Sequence, residues 1–583
     1  MKGLLLAALV LATAPLWANY TPFYLGLLTE VLVFGLFALA YDVLLGHAGV
    51  LSLGHSAFIG VAAYCTGILL ARYHAAVEVS LLAGVLGGLL TSLILGLLVL
   101  RKRGVYLAML TLALSQVFYY IVLMWTSVTG GTDGLGNLPV LHLSPPVGWR
   151  LSKRPVTRYY VIAALVFLAM LAIRYVLRSP LGRVMRAVKA NETRAAACGY
   201  DTRRVKLVAF AISGAFSGLA GGLLTLVLEF VPIENIHWSM SGSVLIMTLF
   251  GGTGTLLGPF VGAGVFIWMR DFVSKHLEYW EVFVGSAFVL IVLFLPDGIV
   301  GTLTRLVSRR RPPAAQPEAS GVAVTRRAAP VVAPAANGEA PLLETRALTK
   351  AFGGLTAVNR VDFRVRRGEL RAVIGPNGAG KTTFFNVLTG VLPPSDGRVM
   401  FKGRDITGFP AHAVSRLGVG RSYQITNIFG DLTVFENLRV AVQSRVTHYR
   451  FWGNAERLTE VNRRAEGLLH LLELGPKRDV RGAELSHGEQ RYLEIGIALA
   501  TEPDFLLLDE PTAGMSPEET QRTAAFVRTL AGRVTIVLVE HDMEVVMGIS
   551  DRITVLNYGE ILAEGTPAEI RENPDVRRVY LRD

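Results

Sequence analysis

Cysteine is nearly absent. The 583 residues include two, Cys65 in an apolar run and Cys198 in a basic segment, which excludes a disulfide framework and a cysteine-rich metal site. Charge is scarce as well. Asp, Glu, Lys and Arg make up 17% of the chain and mean hydropathy is +0.45, too apolar for a protein whose nonpolar residues must all fit inside soluble cores. A membrane portion is expected, and the length leaves room for more than one domain. The net charge of +12 does not form a stripe suited to a phosphate backbone, because basic residues cluster beside apolar segments at 101–103, 183–206 and 309–311. Such clusters orient membrane helices, so membrane lipid is an expected partner and nucleic acid is not.

Apolar stretches at 3–18, 23–45, 56–72, 80–100, 105–125 and 159–176 are long enough to cross a hydrocarbon core as helices. Residues 1–19 also resemble a secretory signal peptide, with Lys2, an apolar core and a small-residue cleavage pattern. Further spans follow at once, so an uncleaved first membrane helix is the preferred reading. Beyond these lie apolar stretches at 207–228, 239–268 and 282–295. The basic loops at 101–103 and 178–206 should be cytoplasmic, with the N-terminus inside, and the loop at 150–158 is a mild exception.

Glycine interrupts three of these regions, at 46–55, 130–136 and 251–258. Irregular backbone at membrane depth must be buried in protein or line a wet cavity, so these segments are candidates for a solute path; close helix packing and tight turns are the alternative. Glu30 and Asp42 lie in the second span. They either line that route or reach headgroups from helix ends.

Residues 308–341 are rich in Pro and Ala with almost no bulky apolar side chains, the composition of a disordered tether. After it, short apolar runs alternate with amphipathic helices, as expected of an α/β domain with a largely parallel sheet. The apolar strand at 370–374 runs into Gly375, Pro376, Asn377, Gly378, Ala379, Gly380, Lys381 and Thr382, followed by Thr383. This is G-x-x-x-x-G-K-[ST] in its strand, loop, helix context, a P-loop. Backbone N–H groups and the helix N-terminus cradle phosphates, Lys381 reaches the outer phosphates and Thr382 offers a hydroxyl to Mg²⁺, making ATP and Mg²⁺ the expected cofactors. The chain is thus an expected ATPase, which fixes parity: a cytosolic ATPase and a cytosolic N-terminus require an even number of crossings. Splitting 239–268 at its glycine run gives about ten, with about eight and one re-entrant stretch as the alternative.

A second strand, 505–508, delivers Asp509 and Glu510. The first suits the metal shell and the second a water attacking the γ-phosphate. Between the two motifs lies Leu485-Ser-His-Gly-Glu-Gln490, and these residues together resemble the ATPase of ABC transporters. The resemblance implies that Ser486 and Gly488 contact ATP held by an opposing ATPase, that Gln424 is the Q-loop glutamine and a metal-shell residue beside Thr382 and Asp509, that His541 is the switch histidine, and that Phe352 stacks on adenine. Lys381, Glu510 and His541 form the implied catalytic set. His487 and Ser516 depart from the pattern, which has Gly and Asp there in many members, and this puts communication between two ATP sites in question.

The stretches G-H-A-G-V-L-S-L-G-H-S-A-F, G-G-T-D-G-L-G and L-F-L-P-D-G-I-V-G resemble the second permease of the branched-chain amino acid, or Liv-type, importers. The segment 424–429, the run D-E-P-T-A-G-M-S-P-E-E and the tail G-T-P-A-E-I-R-E-N-P-D-V resemble the Liv-type ATPase. Residues 182–199, including Glu192, Ala195, Ala196 and Gly199, resemble the coupling segment that docks on an ATPase.

The implied organisation is an all-α polytopic permease at 1–307, the tether at 308–341 and an α/β P-loop NTPase at 342–583. The implied function is ATP-driven import across a bacterial inner membrane. Implied partners are a second permease subunit, a second ATPase subunit or second copy of this chain, and a periplasmic solute-binding protein. Branched-chain amino acids are the default substrate. Urea, short amides or aromatic acids are alternatives, an exporter or flippase is a second function class, and an ATP-driven mechanical or signalling complex is a third.

Overall fold

The computed structural model describes residues 22–136, 155–276, 279–309, 340–424, 426–447 and 453–581, with residues 13, 15 and 138. The apolar stretch at 3–18 and nearly all of the Pro/Ala-rich tether lie outside the described residues. The chain forms two compact units: Met1–Lys189 with Arg203–Ser320, and Ala190–Thr202 with Gly321–Asp583.

The first unit is helical: α1 (Pro22–Asp42), α2 (Ser56–Tyr73), α3 (Val77–Val99), α4 (Val105–Met124), α5 (Pro155–Leu177) and α6 (Pro180–Ala190). After the short α7 (Glu192–Ala197), which belongs to the second unit, come α8 (Thr202–Leu228), α9 (Trp238–Gly251), α10 (Gly258–Ser274), α11 (Trp280–Phe294) and α12 (Gly298–Arg309). Among the described residues, seven helices are long and apolar enough to cross a membrane, and α9 is a shorter apolar helix. Many large apolar side chains on α3, α4 and α11 are exposed, including Leu82, Leu86, Leu90, Met109 and Leu293. Lipid covers such faces at no cost, whereas water would not. Where α3 crosses α8, a Cβ on Gly88 would stand 2.5 Å from the Gly214 carbonyl oxygen and 2.7 Å from Gly218 Cα. Only glycine permits that approach.

Two of the glycine-rich interruptions are physical breaks, and one carboxylate joins them. α1 ends in a π-helical turn, Val43–His47, and the chain stays irregular until Ser56. The stretch at 239–268 is two helices, parted between Gly251 and Gly258. Asp42 is fully buried. Both of its carboxylate oxygens accept from the Gly254 N–H at 3.0 Å, and His47 Nε2 lies 3.7 Å away. Lys189 Nζ donates to the Gly46 carbonyl at 2.7 Å. Asp42 therefore satisfies backbone in the opposite break and does not reach toward headgroups. Glu30 pairs with Arg270 of α10 at 2.7 Å.

The second unit contains two sheets. One is antiparallel, in the order β2 (Leu355–Val361), β1 (Leu343–Phe352), β5 (Asp396–Phe401) and β6 (Arg404–Asp405), with β3 (Arg364–Val365) also paired to β1. The other runs β11 (Glu560–Gly565), β10 (Arg552–Asn557), β4 (Leu370–Ile374), β9 (Thr535–Val539), β8 (Phe505–Asp509), β7 (Val419–Arg421), parallel from β10 to β7. Strands β4, β8 and β9 are buried at every residue, which is why they read as mainly apolar runs; Arg371 within β4 is a charged exception and is paired with Glu369 and Glu564. Apolar residues on the two faces of this sheet fall in two separate core clusters. Their carboxyl ends deliver the loops of the candidate site.

The clamp is testable. Removing the Asp42 carboxylate strands a buried N–H, at a cost of about 1–3 kcal/mol. In detergent, the Asp42→Ala chain should unfold at a lower temperature than the parent, and Asp42→Asn, which still accepts, should lose less. Equal melting of Asp42→Ala and parent would show that the two breaks do not depend on this contact.

Candidate active site

β4 ends at Ile374, and the loop 375–380 turns the chain into α13 (Lys381–Leu388). Gly380, with φ of +92°, caps the helix, and a Cβ there would lie 2.1 Å from the Ala357 carbonyl oxygen. No other residue fits that conformation and that space. The loop therefore holds its backbone against the start of α13, where free N–H groups and the helix dipole favour an anion. Asn377 and Gly378 are exposed, Ala379 is buried, and Thr382 and Thr383 occupy the first turn, Thr382 exposed. Lys381 is folded back onto the loop: its Nζ donates to the carbonyls of Gly375 at 2.6 Å and Pro376 at 3.1 Å. Burial pulls its pKa below the ordinary lysine value, opposed by the charges of Glu510 and Asp509.

At the end of β8, Asp509 is 1% exposed and neither carboxylate oxygen has a hydrogen-bond partner. The Arg421 guanidinium approaches to 3.5 Å. Burial raises the Asp509 pKa, and Arg421 counters this. A buried carboxylate with no hydrogen bond, faced by a single guanidinium at ion-pair distance, has room on its oxygens for a bound cation. Glu510, next in sequence, adopts φ of +50°, and its N–H bonds to the Val539 carbonyl at 2.8 Å. This left-handed backbone turns its side chain away from the strand direction. Glu510 Oε1 accepts from Gln424 Nε2 at 3.0 Å and lies 3.0 Å from His541 Nε2. Three residues far apart in sequence thus meet at one oxygen.

Phe352 closes β1, is 47% exposed, and has Lys350 Nζ 5.1 Å from its ring centroid. It is not a core aromatic. Ser486 and Gly488 stand at the start of α17 (His487–Leu499), which follows α14 (Ala411–Arg416), α15 (Val434–Val446) and α16 (Thr459–Leu471). Ser486 is the N-cap, in a reciprocal capping box with Glu489, and a Cβ on Gly488 would press on the Glu519 carboxylate at 2.9 Å. Ser516 caps α18 (Pro517–Ala531) through the same box with Glu519. The serine that departs from the family's aspartate therefore keeps the acceptor a helix N-terminus needs.

Two groups of residues escaped the sequence reading. Glu540, beside His541, is buried, and its Oε1 accepts from the Thr512 N–H at 2.8 Å and hydroxyl at 2.6 Å, while Oε2 accepts from the His541 N–H at 3.1 Å. It ties the loop after Glu510 to the loop that carries His541. The second group is Arg194, Arg491 and Glu494, all buried. Nothing in a helical segment rich in arginine distinguishes a buried guanidinium from a surface one.

The capping role of Ser516 predicts that Ser516→Ala lowers the stability of the ATPase unit by about 1 kcal/mol and that Ser516→Asp, which caps equally well, changes it little. Chemical denaturation of the full chain, followed through the transition of this unit, measures both. A larger loss for the aspartate than for the alanine would contradict the role.

Residues 23–293 match the family model described as branched-chain amino acid transport system / permease component. Residues 358–513 match the ABC transporter model, and 560–581 that of the branched-chain amino acid ATP-binding cassette transporter. The high-affinity branched-chain amino acid transport ATP-binding protein LivG of Salmonella typhimurium is 43% identical over 249 residues, spanning 41% of this chain and 98% of LivG. BraF of Pseudomonas aeruginosa, with the same description, is 43% identical over 251 residues at the same two coverages. A solved nucleotide-free ATP-binding cassette from an ABC transporter is 30% identical, spans 41% of this chain and 99% of that one, and has a TM-score of 0.38. With a permease-type unit and an ATPase unit similar to LivG in one polypeptide, the chain belongs to the branched-chain amino acid family of ABC transporters and is an ATPase coupled to transmembrane transport.

Proposed function

We propose that this chain hydrolyses Mg²⁺-ATP to drive import of branched-chain amino acids across a bacterial inner membrane, as one permease and one ATPase of a binding-protein-dependent assembly. The observation that carries the catalytic part is the meeting of Gln424 and His541 on one oxygen of Glu510 beside the P-loop. In this reading Glu510 takes the proton of the attacking water, His541 positions it against the γ-phosphate, and Lys381 leaves its loop carbonyls to bind the outer phosphates. The backbone of 375–380, with Thr382 and Thr383, cradles the phosphates, and Phe352 stacks on adenine.

The residues fit Mg²⁺. Among the described residues no group of three or more His, Cys, Asp or Glu side chains could hold a metal alone. Mg²⁺ usually keeps water and phosphate in its shell and takes few protein oxygens. Asp509, Thr382 and the Gln424 amide oxygen are the oxygens to hand, and the ion would neutralise charge on the phosphates. Ser486 and Gly488 serve the site of an opposing cassette. A complete transporter then needs a second permease, a second ATPase or second copy of this chain, and a periplasmic binding protein.

The proposed organisation is a permease at 1–307 with about ten crossings, the N-terminal segment being the first, a tether at 308–341 and the ATPase at 342–583. Similarity to Liv-type proteins in both units supports import over export and branched-chain amino acids over urea, amides or aromatic acids.

The residue roles predict that Glu510→Gln lowers ATP hydrolysis by at least about 100-fold while ATP affinity stays within a few-fold. Phosphate release and equilibrium nucleotide binding on the assembled transporter measure the two. Undiminished hydrolysis would overturn the assignment of Glu510.

A further inference from the structure

Residues 190–202 sit between first-unit segments in the chain but belong to the second unit. Asn191 caps α7 by accepting the Arg194 N–H and also donates to Asn427. Tyr200 Oη donates to the Val440 carbonyl at 2.8 Å, and Arg416 Nε donates to the Gly199 carbonyl at 2.9 Å. These contacts hold the segment in place. Arg194 does something more specific.

The Arg194 side chain is 1% exposed. One guanidinium nitrogen donates to the Arg421 carbonyl at 2.8 Å and the other to the Glu494 carbonyl at 2.6 Å. Arg421 ends β7, a short step before Gln424, and Glu494 lies on α17, the helix that Ser486 caps. The fork therefore bridges the strand leading to Gln424 and the helix leading from Ser486. The Glu494 carboxylate completes the bridge: it lies 4.0 Å from Arg194, accepts the Tyr423 N–H at 2.9 Å and accepts from Arg491 at 3.0 Å. Arg491 in turn donates to the carbonyls of Tyr423, at 2.5 Å, and Gln424.

We propose that Arg194 is a positioning residue for ATP hydrolysis, its two carbonyl bonds making the pose of Gln424 against Glu510 and the pose of the Ser486 helix depend on the 190–202 segment. The inference rests on the proposed transport function and adds the residue through which permease state reaches the reacting groups. A planar guanidinium reaches two carbonyls at once, and a lysine ammonium of similar charge and reach does not reproduce the fork. Lys189 and Arg203, on either side of the segment, belong to the first unit.

The test uses the complete assembly in proteoliposomes, with basal and solute-stimulated ATP hydrolysis and nucleotide affinity measured for the parent, Arg194→Lys, Arg194→Gln and Tyr200→Phe. Both Arg194 variants should lose at least about fivefold in stimulation, the scale of a charged hydrogen bond. The basal rate should fall as well, since Arg194 holds the strand that leads to Gln424 and its bond to Glu510, while nucleotide affinity stays within about twofold. Tyr200→Phe, which weakens docking away from Gln424, should keep most of the stimulation. If Arg194→Gln does not assemble, Arg194→Lys decides. Stimulation retained in Arg194→Lys, or lost equally in Tyr200→Phe, would overturn the role of Arg194. A parent assembly with no stimulation at all would instead overturn the transport reading beneath it.

Discussion

A fully buried carboxylate organises the ATPase unit. Glu494 is 0% exposed, and moving an ion of that kind out of water costs several kcal/mol unless partners surround it. Burial drives its pKa upward, while Arg194, the Tyr423 N–H and Arg491 oppose that shift. Each partner comes from a different part of the chain. Satisfying one carboxylate therefore brings the 190–202 segment, the end of β7 and the middle of α17 to the same place, and Gln424 and Ser486 inherit their positions from it.

The nucleotide side is built on the same logic of backbone held by unusual constraint. Gly380 and Glu510 both sit at positive φ. The first lets the loop close without a side chain, and the second turns a carboxylate toward Gln424 and His541. Glu540, bonded to Thr512 and to the His541 N–H, keeps the loops after β8 and β9 in register. In the helical unit Asp42 has the equivalent position, joining two breaks that otherwise expose unsatisfied backbone at membrane depth.

Much of this was legible in the sequence. The apolar spans from residue 23 onward, the split of 239–268 at its glycines, the P-loop and the carboxylate pair each follow from local patterns whose spacing is fixed by the chemistry. What local pattern does not carry is tertiary pairing. Asp42 left two readings open, and its role as an acceptor for Gly254 depends on a segment more than two hundred residues away. Arg194 sits in a segment whose arginines fit a positive-inside anchor equally well, and its bonds to the Arg421 and Glu494 carbonyls separate it from them. Ser516 broke a family pattern but kept the physical requirement, an acceptor at a helix N-terminus.

The central claim is that ATP consumed by this cassette moves amino acid inward. Proteoliposomes of the complete assembly, with ATP in the lumen on the cassette side and binding protein with labelled leucine outside, test it directly. Leucine should accumulate in the lumen only when ATP is present there. ATP-driven loss of leucine from the lumen, or hydrolysis with no movement of any candidate solute, would contradict it.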